Sequence, residues 1–512
     1  MAPVPRSRLR MHIGNNAAEI PMTPSQTGLV DSCFEEAHYE SGIAVLDQLR
    51  STKYKPSPAH IRQLLYISLY TPPIKTKGKD RATPGSPTKV ISGKQGSSTP
   101  ITLSAIYTAQ RCLMAFALTN TPGSLMEALP SYPALSDLNQ RDQSPAELSD
   151  YSNDGDSYVA HQAARLKDYK DCWQILKEDS FVRPEDEGIG MFTGSPSKRR
   201  RASSRTYRHL DDDSADSLLP VASSAWPILD WLLVLFETDE RRTEQEGQPR
   251  YSPLLLSQIP PIRSEAGAKW AVDAPLDAAF HCLIQDDLRK RSMGARLLTL
   301  MINLTSTTLF DLSLFLNLML SRFPSKALPL QDIFSLLPPS QTVLRFKVLL
   351  CHKYLSDTSP SGRPSRAPVR AQPRPVPHRE RRMLDRSTRN ETAADKTSSL
   401  IQPQRETTSP SIASRSILPS AKHISDLVIR PSDSSAHTAH TAYAKFELLS
   451  SYMILQSQAA QSERSEEFLA MLKDRRLAKA VEDSFGILHV NDDEQHVREG
   501  MKEGLLGLMM VL

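Results

Sequence analysis

The residues in this chain whose types and spacing suggest chemistry are basic clusters and short apolar runs beside acids. Four consecutive cations, Lys198, Arg199, Arg200 and Arg201, follow Ser195-Pro196. Such a run in a proline-flanked segment suits the acidic groove of a nuclear import receptor; the plainer reading is a solvated charge run. Arg200-Arg201-Ala202-Ser203 also has the form of a basophilic kinase site, where a phosphate would offset the basic charge. Further on, nine arginines lie between Arg363 and Arg389 against only Glu380 and Asp385. Arg374, Arg379, Arg381, Arg382 and Arg386 form their dense centre, suited to neutralising phosphates in a salt-sensitive, sequence-independent nucleic-acid contact. A solvated linker or a second import signal is the plainer reading.

Two segments have the form of docking peptides. Ile487, Leu488 and Val490 precede an acidic run that includes Asp492 and Asp493. An extended peptide of this kind adds a strand to the small modifier SUMO, its acids meeting a basic rim; a helix–helix connection is the alternative. Leu427-Val428-Ile429, among serines and between Asp426 and Asp433, is a weaker version. Arg289-Lys290-Arg291 with Arg296 reads either as a basic patch or as a cap on the negative end of a helix.

Catalytic and cofactor signatures are missing from the sequence. Gly93-Lys94 runs into Gln95, with Thr88 where a phosphate loop needs its first glycine. Gly188, Gly190 and Gly194 have the wrong spacing for a dinucleotide fingerprint. No G-x-S-x-G elbow or H-E-x-x-H zinc helix occurs. His437 and His440 stand three apart with no third ligand nearby, too few to hold a metal. A non-enzyme without cofactor or metal is therefore expected.

Composition limits what can position these groups. Thirty-eight prolines against 20 glycines, with 39% apolar residues over 512 positions, indicate a packed body carrying long unpacked segments. A net charge of +4 leaves no global nucleic-acid footprint, so phosphate contacts must be local. The five cysteines are widely spaced in apolar, helix-like stretches without a CxxC pair, as expected for buried free thiols in a reducing compartment. The basic start of the chain has no apolar run behind it, against a secretory signal; an Arg-rich transit peptide is the alternative. Residues 297–320 raise a membrane question. Asn303, Asp311 and Asn317 oppose it, since Asp alone costs about 2.5–3.5 kcal/mol at the centre of a membrane helix. A buried helical hairpin, broken at 305–308, is expected instead.

Apolar periodicity sorts the chain into a tail at 1–25, helices over 26–72 and a linker at 73–100. A helical segment follows at 101–181, with an acidic gap at 138–156. Next come an insert at 182–222, a central core at 223–356, a basic linker at 357–436 and C-terminal helices at 437–512. Ser57-Pro58 opens a helix as N-cap and N1. Leu103, Ile106, Tyr107, Leu113, Met114, Ala117 and Leu118 repeat at helical period. Residues 158–178 read as one helix. Leu276, Phe280, Leu283, Ile284 and Leu288 form one amphipathic stripe. Gly500, Gly504 and Gly507 would line one side of a terminal helix and admit close packing. Alternating β-branched runs are absent. The expected fold is all-α: an irregular multi-helix body interrupted by long disordered Ser/Pro/Arg-rich inserts.

Ser224-Ala-Trp-Pro-Ile-Leu-Asp-Trp-Leu-Leu-Val-Leu-Phe236, together with His281–Leu300, resembles the fungal Nse-five family of non-SMC elements. These belong to the DNA-repair SMC complex, the class beside cohesin and condensin. Elsewhere the likeness is a helical outline, and the inserts at 182–222 and 357–436 depart from it. The resemblance implies an all-helical, non-catalytic nuclear subunit paired with a second helical subunit. Such a pair engages the SMC ATPase, regulates its loading onto DNA and supports SUMO-ligase activity in recombinational repair. No binding residue carries over position by position. The alternative is a helical adaptor of another nuclear assembly, with Ser86, Thr99, Ser144, Ser195 and Ser409 before prolines as regulatory inputs. An enzyme with an unrecognised site is a third reading.

Overall fold

The computed structural model describes residues 19–72, 101–132, 157–177, 219–260, 272–307, 310–322, 330–357, 418–430, 438–461, 463–486 and 492–512. Among them the fold is all-α. The strands present are two-residue pieces, β1 (Ile20–Pro21) and β2 (Tyr54–Lys55), paired in parallel. The described residues fall into two compact units, Met1–Lys347 with Ser451–Ala459, and Val348–Ser450 with Ala460–Leu512.

In the first unit, the helices begin where the sequence supplies caps. Thr23 and Gln26 form a reciprocal capping box for α1 (Pro24–Glu35), and α2 (Tyr39–Leu49) follows. The Ser57 side chain accepts from the Ala59 amide to start α3 (Pro58–Leu69), as its Ser-Pro start predicts. α3 is buried at every position from His60 to Leu69, so it is a central helix of this unit. Packed against it are α4 (Leu103–Thr119), α5 (Pro122–Met126) and α6 (Tyr158–Ala164).

Residues 158–178 do not make the single helix expected. After α6 the chain tightens into a 3-10 turn at Arg165–Asp168, then restarts at α7 (Cys172–Leu176) with Asp171 capping the Gln174 amide at 3.0 Å. The buried Gln258 side chain fixes this break by accepting from the Cys172 amide at 2.9 Å and donating to Pro130 O at 3.0 Å.

The segment richest in apolar residues forms α8 (Trp226–Gln245), whose first half is buried through Leu229, Trp231, Leu232, Leu235 and Phe236. α9 (Pro253–Ser257), α10 (Asp273–Leu283) and α11 (Leu288–Leu304) follow. α10 and α11 form a close helical hairpin. Gly294 makes the approach feasible, because a Cβ there would stand 2.8 Å from Ala279 O and from Cys282 Cβ. The amphipathic stripe expected over 276–288 is cut here. Asp287 caps α11 at the Arg289 amide, α10 ends at Leu283, and Ile284 and Leu288 are exposed. A break does fall at 305–307, but the partner of α11 is α10 rather than α12 (Leu312–Arg322). α13 (Leu330–Leu336) precedes α14 (Gln341–Asp357), which runs from the first unit into the second. No described helix is long and apolar enough to cross a membrane.

The second unit holds the end of α14, α15 (Ala421–Ile429), the start of α16 (Thr438–Gln458), α17 (Glu466–Lys473), α18 (Arg476–Phe485) and α19 (Asp492–Val511). The Ser484 hydroxyl donates to Val428 O at 2.7 Å and ties α18 to α15. α15 lies inside the stretch expected as linker at 357–436. Its apolar residues recur at helical spacing, and Ile424, Leu427 and Val428 are buried. On α19, Leu505 is fully buried, yet Gly500 and Gly507 face open space and Gly504 meets only the Phe446 ring at 3.8 Å. The expected close approach along these glycines is not made.

All five cysteines are free. Cys112, Cys172, Cys282 and Cys351 are buried and Cys33 is half-buried. Burial pushes the Cys112 and Cys282 thiols up to about 12, and the Cys172 thiol well above its ordinary value.

Candidate interaction surfaces

α4 carries two apolar faces where the sequence pattern suggested one. Thr102 starts the helix, accepting from the Ala105 amide at 3.0 Å while donating to Glu40 Oε1 at 2.7 Å. Ile106, Ala109, Leu113, Phe116 and Ala117 turn into the core. On the opposite side Leu103 (58% exposed), Tyr107 (64%) and Leu118 (59%) form a row with the half-buried Met114. Their spacing keeps them on one face over four turns, roughly 22 Å of helix. Arg111 stands exposed within the row and makes no ion pair among the described residues. Scattered exposed apolar side chains are ordinary, but a continuous row of this length marks a contact surface.

The seam between α8 and α11 is polar and internally satisfied. Arg296 reaches Glu237 through two hydrogen bonds of 2.6 and 2.9 Å, and Asp230 through one of 2.7 Å. Burial acts to lower the pKa of this guanidinium, but the paired carboxylates outweigh it and hold it above its ordinary value. Deeper in, Glu240 is 2% exposed and accepts from Asn303 at 2.7 Å and Arg250 at 3.0 Å. Asp239 accepts from the Ser252 hydroxyl and the Leu254 amide, which starts α9. Burial raises both Asp239 and Glu240, with their hydrogen bonds pulling the other way. These groups clamp helices together.

Arg289, Lys290 and Arg291 lie at the N-terminal end of α11, so the expected cap on a negative helix end is corrected. Cations there oppose the helix dipole, and acids on α8 answer part of the charge. Arg289 pairs with Asp230 at 3.0 Å. Lys290 Nζ sits 4.5 Å from the centre of the Trp226 ring, which stacks on His281 at 5.7 Å. The two segments that carry the family resemblance thus meet at this seam.

Of the docking peptides, Leu427-Val428-Ile429 is corrected: it is the last turn of α15, with Leu427 and Val428 buried, and no extended strand is free there. Asp492 and Asp493 open α19, so the acidic half of the second candidate has a helical backbone, while Ile487, Leu488 and Val490 lie outside the described residues. Lys198, Arg199, Arg200 and Arg201 also lie outside them, as do Arg374, Arg379, Arg381, Arg382 and Arg386. His437 is outside as well, and His440 is exposed on α16. Among the described residues no three His, Cys, Asp or Glu side chains converge as a metal site would require. The exposed face of α4 was missed because periodicity reports that a residue is apolar, not which side of the helix the body covers. Comparison of the chain with protein-family models, with curated proteins and with solved structures finds no match.

Proposed function

We propose that this protein is a non-catalytic helical scaffold in a nuclear chromosome-maintenance complex of the SMC type, acting through protein–protein contacts. The observation that carries the scaffold reading is the apolar row on α4, Leu103, Tyr107, Met114 and Leu118, which the body leaves uncovered. Arg111 within that row favours a partner helix bearing a carboxylate and disfavours self-pairing, which would bring two arginines together. The nuclear address rests on Lys198–Arg201. The SMC assignment rests on the resemblance in 224–236 and 281–300, with SMC ATPase subunits, a second helical subunit and SUMO or its ligase as the proposed partners.

Affinity purification of the tagged chain from nuclease-treated nuclear extract, followed by mass spectrometry, tests both levels. Stoichiometric SMC ATPase subunits are expected. Another stable complex would discard the SMC assignment, and recovery of the chain alone would discard the scaffold. The double variant Tyr107→Glu, Leu118→Glu is expected to lose the partner at least tenfold. Its unfolding midpoint should stay close to wild type, since exposed substitutions usually change stability by only about 0.5 kcal/mol.

A further inference from the structure

Arg111 is the only charged residue of α4, and it sits midway along the exposed apolar row, eight positions after Leu103 and seven before Leu118. At 3.6 residues per turn, Leu103, Tyr107, Arg111, Met114 and Leu118 all fall within about 40° of one line along the helix. From Tyr107 the row advances through Arg111, Met114 and Leu118 in steps of four, three and four. That alternation is the heptad spacing of a seam that meets a second helix, and it puts the arginine in a core position. Beside the row, Thr108 donates to Ser104 O at 2.8 Å and Gln110 to Ser68 O at 3.3 Å, so both are committed within the unit. Ser104 offers only a hydroxyl. The guanidinium is therefore the strongest polar feature that a partner meets on this face.

The length of the row limits how a partner can lie. A helix crossing α4 at about 50° would leave contact after a short stretch and cover only the middle, whereas one inclined at about 20° follows the row along its whole length. Covering the row also takes Arg111 out of water, and a buried guanidinium without a counter-charge is costly. A carboxylate opposite it answers that charge through two parallel hydrogen bonds. A second copy of α4 does not supply one. With Arg111 at the midpoint, parallel and antiparallel self-pairing both bring the two arginines together. Resting on the scaffold reading of α4, we propose that its partner is a helix lying along the row, with apolar residues at heptad spacing and a single Asp or Glu in that seam, set against Arg111. The pair fixes the register, as a lone polar core residue does in two-stranded helical assemblies.

Two synthetic four-heptad peptides test this, alike in carrying Leu at the core positions but with Glu or Lys at the central one. Each is titrated into the full chain by fluorescence anisotropy. Wild type is expected to bind the Glu peptide roughly tenfold or more tightly than the Lys peptide, and Arg111→Glu to reverse that order, as opposite charges meeting in a covered site imply. Equal affinities in wild type, no binding of the Glu peptide, or an unchanged order in Arg111→Glu would overturn the proposal. So would undiminished binding to the double variant Tyr107→Glu, Leu118→Glu, which would place the peptides elsewhere than on α4. A dimer of the chain alone that Leu118→Glu abolishes in analytical ultracentrifugation would give the row to a second copy and overturn it as well. Should Arg111→Glu lose its helical circular dichroism, Arg111→Gln takes its place and is expected to bind both peptides equally; a retained preference for Glu would count against the pair. The scaffold reading is read separately. Peptides that fail to discriminate, while a complex recovered from extract is still lost in the double variant, refute the carboxylate-bearing partner and leave the scaffold standing.

Discussion

Lys445 gives the clearest dependence on pH at the level of single residues. Its folded pKa, about 8, lies below the ordinary lysine value of about 10.4 found in an unfolded chain. Between those values the unfolded chain holds a proton that the folded chain has released, so this residue makes stability rise with pH across the window. The difference in unfolding free energy between wild type and Lys445→Met should therefore grow in favour of wild type from pH 7.5 to pH 10 in urea titrations. A flat difference would show that the ammonium is not desolvated. None of this was legible in the sequence, because Lys445 loses its water only once α15 and α16 pack and its ammonium reaches the Arg430 carbonyl. The same holds for Arg296, whose carboxylate partners are 59 and 66 positions away.

Helix starts were legible in the sequence; helix ends and faces were less so. Ser57-Pro58 and Thr102 act as caps where their chemistry predicts. The stripe over 276–288 failed because apolar spacing ran on through Asp287, whose side chain restarts the chain as a new helix. The 158–178 segment failed in the same way, with Asp171 as the overlooked cap. Glycine shows why position outweighs type. Gly294→Ala is expected to destabilise by about 1–3 kcal/mol, since the added Cβ must displace the Ala279 carbonyl and the Cys282 side chain. Gly500→Ala, also in a helix but facing open space, is expected to stabilise by about 0.5–1 kcal/mol. Urea midpoints of the two variants should thus move in opposite directions, and a shared direction would refute the close α10–α11 approach.

Fold class and the burial of the thiols are what the sequence discloses best across the whole molecule, because both follow from composition and period. Its surfaces are disclosed worst, since the same leucines serve core and exterior on α4. Four of the five cysteines are buried, Cys112, Cys172 and Cys282 in the first unit and Cys351 in the second. A disulfide reagent applied to the native protein is accordingly expected to react quickly with one thiol, and with all five after guanidinium is added. A second fast thiol would mean that one of the units is looser than described. Cys33, near the C-terminal end of α1, then serves as a natural single attachment point. A fluorophore or spin label placed there would follow the chain into an assembly without any cysteine first being engineered out.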